Sequence, residues 1–381
     1  MSVRKRTWTT SKGETRTAWA VDYVDGKGKR RLKTFKLKKE ADQFAATTAV
    51  EVRKGVHVAD RDTVTVKRAG ELWIESSEAA GLERSTVEAY RQRLNLHIVP
   101  FIGDEKLTKI TVPAVRAFAD TLRSQGRSPA MVKKAMTALG ALLSDAQERG
   151  CVTHNAVKEM SRRRNGAEKR KRRLLEVGVD IPAPDEIKAF LAALEGRWRP
   201  VLLTAVFTGL RSSELRGLRW HDVDFGKATI TVRQRADKWG EIGATKSHAG
   251  QRTLPVPPVV VNTLKEWKLA CPPGELVFPT ATGKPHSHSN VVNRGLKPAM
   301  ARAGLPYTGL HALRHFYASW LINPKEAGGL GLDMKTVQAR MGHSSITVTA
   351  DVYSHLFPRK DDGKEMADAA SALLGITLAR D

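Results

Sequence analysis

A chain of 381 residues is too long for one ordinary hydrophobic core, so two or three domains are expected. Its 64 Lys and Arg outnumber 40 Asp and Glu, a net charge of +24 with an isoelectric point near 10.2, and an excess of this size points to a polyanionic partner. A hydrophobic share of 41% excludes a largely disordered chain, and the longest apolar run, Val201 to Leu210, is far short of the roughly 20 residues that span a bilayer.

Two cysteines, Cys151 and Cys271, cannot make a disulfide framework, and no Cys/His group has zinc spacing. Both are expected to be buried or inert thiols in a reducing compartment. The basic N-terminus lacks the apolar core of a signal peptide, so a cytoplasmic protein with access to DNA, and no membrane partner, is expected.

Residues 1–60 carry 15 Lys and Arg against 7 Asp and Glu. Trp19, Val21 and Tyr23 alternate as a half-buried strand does. Asp25-Gly26-Lys27-Gly28 is a turn, and the basic run Arg30 to Leu37 completes a hairpin that places Arg30, Arg31 and Lys33 as DNA-contact candidates. Ala41, Phe44, Ala45, Thr48 and Val52 fall at helical spacing behind it. A small sheet of this kind can lay basic strands in a DNA groove, or serve as a basic docking module.

Residues 62–160 read as four helices. Val64 to Ser77 is the first; Ser85-Thr86-Val87-Glu88 is a capping-box pattern for a second that Pro100 closes. Thr111 caps a third, with Pro113 in its first turn, and Ser128-Pro129 opens a fourth that Gly150 ends. Met131, Ala135, Leu139, Leu142 and Ala146 form its core stripe. Arg84, Arg91, Arg127, Lys133 and Lys134 leave a basic exterior able to clasp duplex DNA, mainly through phosphates.

Residues 161–180 are a basic interdomain linker, in which eight of the thirteen residues 161–173 are Lys or Arg. Arg162, Arg163, Arg164 and Arg172 suit a tether that crosses a DNA backbone and releases counterions. Residues 181–360 mix helices with two β-type runs, Thr229 to Arg233 and Arg252 to Val256, and Lys246 lies in the loop between them. Residues 361–381 form an Ala-rich amphipathic tail. The fold class expected is multidomain α+β: a small N-terminal sheet plus helix, a four-helix domain, and a mainly helical domain with a small antiparallel sheet.

The last large domain carries a set of residues suited to phosphodiester chemistry. Cutting DNA needs a nucleophile, positive charge on the non-bridging oxygens and a proton for the leaving oxygen. No Walker loop, zinc motif or Mg²⁺-spaced carboxylate pair appears, so no cofactor is expected and cationic side chains must supply the charge. Arg211 and Arg314 are candidate phosphate clamps, because a guanidinium binds phosphoryl oxygens bidentately. Arg211 opens a helix that Ser212 or Ser213 caps, and Glu214 would hold it from behind. His311 shares a helix face with Arg314; His315, adjacent, reads as a satisfied core or capping residue. His343, at a Gly-His turn, can donate to a phosphate or leaving oxygen. Lys246 on its loop is the candidate general acid. Tyr353 is the candidate nucleophile, since a phenol can form a covalent phosphodiester and later leave. Its ordinary acidity is too weak for free attack, so nearby cations must stabilise the phenolate or a base must take the proton. Tyr317, one turn beyond Arg314, is the rival nucleophile and reads as core.

Together Thr208-Gly209-Leu210-Arg211-x-x-Glu214-Leu215, His311-x-Leu313-Arg314-His315, Met341-Gly342-His343-Ser344 and Tyr353 resemble the tyrosine recombinases, and more closely the lambda-type bacteriophage integrases. The resemblance covers roughly residues 62–360 and implies a catalytic set of Arg211, Lys246, His311, Arg314, His343 and Tyr353. Residues 1–60 look like the three-stranded arm-binding domain of such integrases, and 62–160 like their helical, SAM-like core-binding domain. The implied reaction is DNA cleavage through a 3′-phosphotyrosyl adduct and strand exchange through a Holliday junction, without metal or ATP. The implied partners are duplex attachment sites of core and arm types, a homotetramer on DNA in the bacterial nucleoid, a host DNA-bending factor and an excisionase. The tail after Tyr353 looks like a segment that docks on a neighbouring protomer. Three readings compete: a type IB topoisomerase-like enzyme, a DNA-binding regulator with an inactive site, and a metal-dependent nuclease.

Overall fold

The computed structural model describes residues 1–11, 13–25, 28–53, 57–59, 62–160, 174–307, 309–357, 371 and 373. The chain forms two compact units, Met1–Gly166 and Ala167–Asp381.

The first unit holds two hydrophobic cores. Strands β1 (Ser2–Thr9), β2 (Thr15–Val24) and β3 (Arg30–Phe35) make an antiparallel sheet in that order, backed by helix α1 (Lys38–Arg53). Alternation sends Trp19, Val21, Tyr23 and Phe35 toward Ala41, Phe44, Ala45 and Val52. The period of two also corrects the basic strand. Arg31 and Lys33 share the parity of Phe35 and face the helix side, not the open face. Arg31 is ion-paired with Asp25 and Asp62, and the Lys33 ammonium lies 4.6 Å from the Phe44 ring centroid. Arg30 is exposed on the open face, in register with Val24. Arg4 and Arg6 of β1 stand opposite Ala20 and Ala18 on that same face.

The second core lies among α2 (Val66–Ala79), α3 (Arg84–Arg93), α4 (Val112–Ser124) and α5 (Pro129–Glu148). Thr111 and Ser128 cap α4 and α5 through their hydroxyls. The Ser85 capping box does not form: Glu83 occupies the N-cap, and Ser85 is inside the first turn. Pro100 does not close α3 either. A π-turn, Leu94–Ile98, follows α3 and leads into a short helix, Val99–Ile102, with Pro100 in its first turn. There a proline's missing N–H costs nothing, and the wider π-turn relieves its clash with the preceding turn. The same device recurs at Val291–Leu296, just before Pro298. Arg84, Arg91, Arg127, Lys133 and Lys134 are exposed, with Arg91 paired to Glu78. Arg162, Arg163, Arg164 and Arg172 lie outside the described residues, as do the turn residues Gly26 and Lys27 and nearly all of 361–381.

The second unit is mainly helical: α6 (Pro184–Ala192), α7 (Trp198–Thr208), α8 (Ser212–Arg216), α9 (Pro258–Ala270), α10 (Lys297–Arg302), α11 (Leu310–Ile322), α12 (Met334–Met341) and α13 (Ile346–Tyr353). Strands β4 (Val223–Asp224), β5 (Thr229–Val232) and β8 (Arg252–Pro255) pair antiparallel, and β6 (Gln234–Ala236) with β7 (Ile242–Ala244) forms a hairpin inserted between β5 and β8. Among the described residues no helix is long and apolar enough to cross a membrane. Cys151 and Cys271 are free and only half-buried.

Candidate active site

The site is built around the C-terminal end of α12. The last carbonyls of a helix lack intrahelical donors and carry its negative dipole end. Here three guanidinium groups satisfy them. Arg252 Nε donates to the Arg340 carbonyl at 2.8 Å, Arg314 Nη2 to that of Met341 at 2.5 Å, and Arg211 Nη2 to that of Gly342 at 2.8 Å. Gly342 ends the helix at φ +64°, a left-handed conformation that favours glycine. A Cβ there would stand 2.7 Å from Arg252 Nη1 and 3.0 Å from the Ala249 carbonyl oxygen, so the close approach also demands glycine.

Glu214 anchors the same arginines from the other side. Arg211 sits at the N-cap of α8 in place of the expected serine, and its backbone N–H donates to the Glu214 carboxylate at 3.0 Å. Arg211 Nη1 and Arg252 Nη2 donate to the two carboxylate oxygens at 2.7 and 2.9 Å. Burial raises the Glu214 pKa, but the charges and hydrogen bonds of Arg252 and Arg211 outweigh it and hold the carboxyl below its ordinary value. Arg211 keeps a side chain 35% exposed, open to a ligand, whereas Arg314 is buried. Arg314 Nη1 also donates to the carbonyl of Gly209, at 2.5 Å. Burial and the neighbouring Arg211 pull the Arg314 pKa down to about 10, so it remains cationic at neutral pH.

Tyr353 closes α13 with its ring buried and its hydroxyl 2.8 Å from His315 Nδ1. Burial pushes the phenol up to about 12, with Arg314 opposing the rise. The His343 ring lies parallel to the Tyr353 ring, centroids 6.4 Å apart. Its Nδ1 is 2.9 Å from Thr349 Oγ1, and its backbone carbonyl accepts from Gln338 Nε2 at 3.0 Å. Burial, then Arg314, Arg211 and Arg252, bring His343 down to about 4, so the ring is neutral at physiological pH. His311 is exposed at the start of α11. Lys246 is exposed on the loop after β7. Tyr317, the rival tyrosine, is core: it packs on Gly209, where a Cβ would come within 2.4 Å of its ring.

The structure thus brings Arg211, Glu214, Arg314, His343 and Tyr353 together through α8, α11, α12 and α13. Sequence reasoning passed over Arg252, which binds the second oxygen of Glu214 across 38 residues, and no local pattern marks such a pair. It also set aside His315, although its spacing of four from His311 placed it on that residue's helix face. A cluster of fixed cations beside a phenol can bind a phosphoryl group and stabilise charge as it develops.

Comparison with known proteins follows the same outline. Residues 183–360 match the phage integrase family, and residues 65–123 match the N-terminal SAM-like domain of phage integrases. A tyrosine recombinase XerC-like protein of Caldanaerobacter subterraneus subsp. tengcongensis is 27% identical over 372 residues, covering 88% of this chain and 91% of the relative. The integrase of Mycobacterium phage D29 is 25% identical over 399 residues, covering 99% and 100%. The crystal structure of a lambda integrase tetramer bound to a Holliday junction superposes with a TM-score of 0.57 at 18% identity, covering 90% of this chain and 96% of that one.

Proposed function

The chain belongs to the phage integrase family, and we propose that it is a site-specific DNA recombinase whose nucleophile is Tyr353. The observation that carries this is the convergence of Arg211, Arg314 and His343 with Tyr353 at the end of α12. Arg211 and Arg314 bind the non-bridging oxygens of the scissile phosphate and neutralise the charge gathered there in the transition state. A guanidinium has more N–H donors than these carbonyl and carboxylate bonds use. Tyr353 Oη attacks phosphorus; the bond to the 5′ oxygen breaks, and Lys246 supplies the proton that oxygen needs. His343 donates to the phosphate, and His311 lines the approach to it. The 3′-phosphotyrosyl bond stores the energy of the phosphodiester, so the 5′ hydroxyl of a partner strand can be joined without a nucleotide triphosphate.

The natural event is integration, and excision, of a mobile element. Residues 62–160 clasp the core site and residues 1–60 an arm site, with the open sheet face bearing Arg4, Arg6 and Arg30 toward DNA. Four protomers act on two duplexes through a Holliday junction, in the bacterial cytoplasm at the nucleoid, aided by a host DNA-bending factor and an excisionase. Lambda integrase, seen as a tetramer on such a junction, supports this assembly.

Covalent trapping tests the reading. Wild-type and Tyr353→Phe proteins are mixed with fragmented bacterial and phage DNA, denatured in detergent, and the protein-linked DNA is sequenced. Adducts from the wild type alone, gathered at one or two sites, are expected. Tight binding without adducts from either protein would leave the DNA-binding regulator as the better reading.

A further inference from the structure

The two histidines on α11 meet Tyr353 differently. His311 is exposed, while His315, one turn on, is half-buried with Nδ1 2.8 Å from Tyr353 Oη. Among the described residues His315 is the hydrogen-bond partner of that hydroxyl. The ring centroids of His315 and Tyr353 are 5.8 Å apart, and the His311 and His315 rings meet edge-on at 5.9 Å. His343 is also beside the phenol, but its Nδ1 is occupied by Thr349.

Resting on the reading of Tyr353 as nucleophile, we propose that His315 is the general base of strand cleavage, its Nδ1 taking the phenolic proton as Oη attacks phosphorus. The groups facing the pair are His311 and Arg314 from α11, Asp180 from the segment before α6, and His343 from the turn after α12. Burial and then the neighbouring His311 and Arg314 hold His315 down to about 4, so at rest its ring is neutral and can accept a hydrogen bond. With the phenol raised to about 12, the resting pair is a neutral O–H···N bond and the nucleophile stays protonated until DNA arrives. Two changes then favour transfer. The attacking oxygen loses basicity as its bond to phosphorus forms, and the phosphate brings negative charge that stabilises an imidazolium.

The step balances. The Oη–P bond forms, the P–O5′ bond breaks with its electron pair on O5′, and O5′ takes its proton from the acid assigned above. The phenolic proton rests on His315 Nδ1 and returns to Oη when a 5′ hydroxyl attacks the phosphotyrosine.

The test uses the DNA fragment recovered by covalent trapping as the probe. Single-turnover adduct formation is measured for the wild type and His315→Gln from about pH 6 to 9. His315→Gln is expected to be slower by roughly 10²-fold or more at neutral pH. Its rate should climb about tenfold per pH unit, because phenolate must then form in advance, whereas the wild-type profile stays flatter. Equal rates with identical profiles would overturn the assignment of His315 while leaving Tyr353 in place. Absence of adducts from the wild type removes the nucleophile reading and this one with it. If His315→Gln does not fold, ¹⁵N-histidine NMR of the wild type and Tyr353→Phe decides instead. Loss of the phenol should shift the His315 Nδ1 resonance, and an unmoved resonance overturns the proposal.

Discussion

Glu214 illustrates how much one buried carboxylate organises here. It fixes Arg211 by backbone and side chain and ties Arg252 to the same point. Removing one partner of a buried pair leaves uncompensated charge, so Glu214→Gln should cost about 3 kcal/mol in urea unfolding at pH 7. The pH dependence has a definite sign. The folded carboxyl lies below its ordinary value of 4.5, so its stabilisation is complete above that value and is lost as pH falls through the folded pKa. The gap between wild type and Glu214→Gln should therefore narrow as pH falls below 4.5, and a gap that stayed constant down to acid unfolding would show that charge is not its source. The neutral histidines act in the window above. His315 and His343 are held near 4 against an ordinary 6.5, so the unfolded chain binds more protons between those values and stability should drop as pH falls across them.

At the scale of elements, the site depends on where helices stop. The α7 helix ends at Gly209 and α12 at Gly342, both with positive φ, and the carbonyls there receive Arg314 and Arg211. Gly342→Ala should destabilise the protein by about 1–3 kcal/mol, through left-handed strain and displacement of Arg252, and should depress cleavage more than DNA binding. Thermal unfolding beside an adduct assay and a binding titration checks this; equal losses of binding and cleavage would count against a local effect. The caps of α4 and α5 were legible because Thr and Ser directly precede Pro-containing first turns. The path through Pro100 was not legible, since a proline reads as a stop unless a π-turn precedes it.

Across the whole molecule, a charge of +24 predicts DNA affinity that falls steeply with salt, with a slope of about −0.9 for each phosphate neutralised. A nearly flat response between 50 and 200 mM salt, measured by fluorescence anisotropy, would undercut phosphate-dominated binding. Deleting residues 1–60 should spare binding to the core site and abolish assembly on longer DNA carrying arm sites. Native gel shifts on the two DNA lengths separate these outcomes.

The basic charge and the run of helices and strands were readable along the chain, because they rest on composition, short-range periodicity and capping chemistry. The α+β class followed from those, whereas the phage integrase resemblance rested on the motifs Thr208–Leu215, His311–His315, Met341–Ser344 and Tyr353. Partners and directions were not readable. Whether Arg31 points to solvent or to Asp25 and Asp62, that Arg252 shares the Glu214 carboxylate with Arg211, and which histidine meets Tyr353 depend on contacts between segments far apart in sequence. A side chain's neighbours across space are set by the packing of whole helices and sheets, and no local pattern encodes that distance.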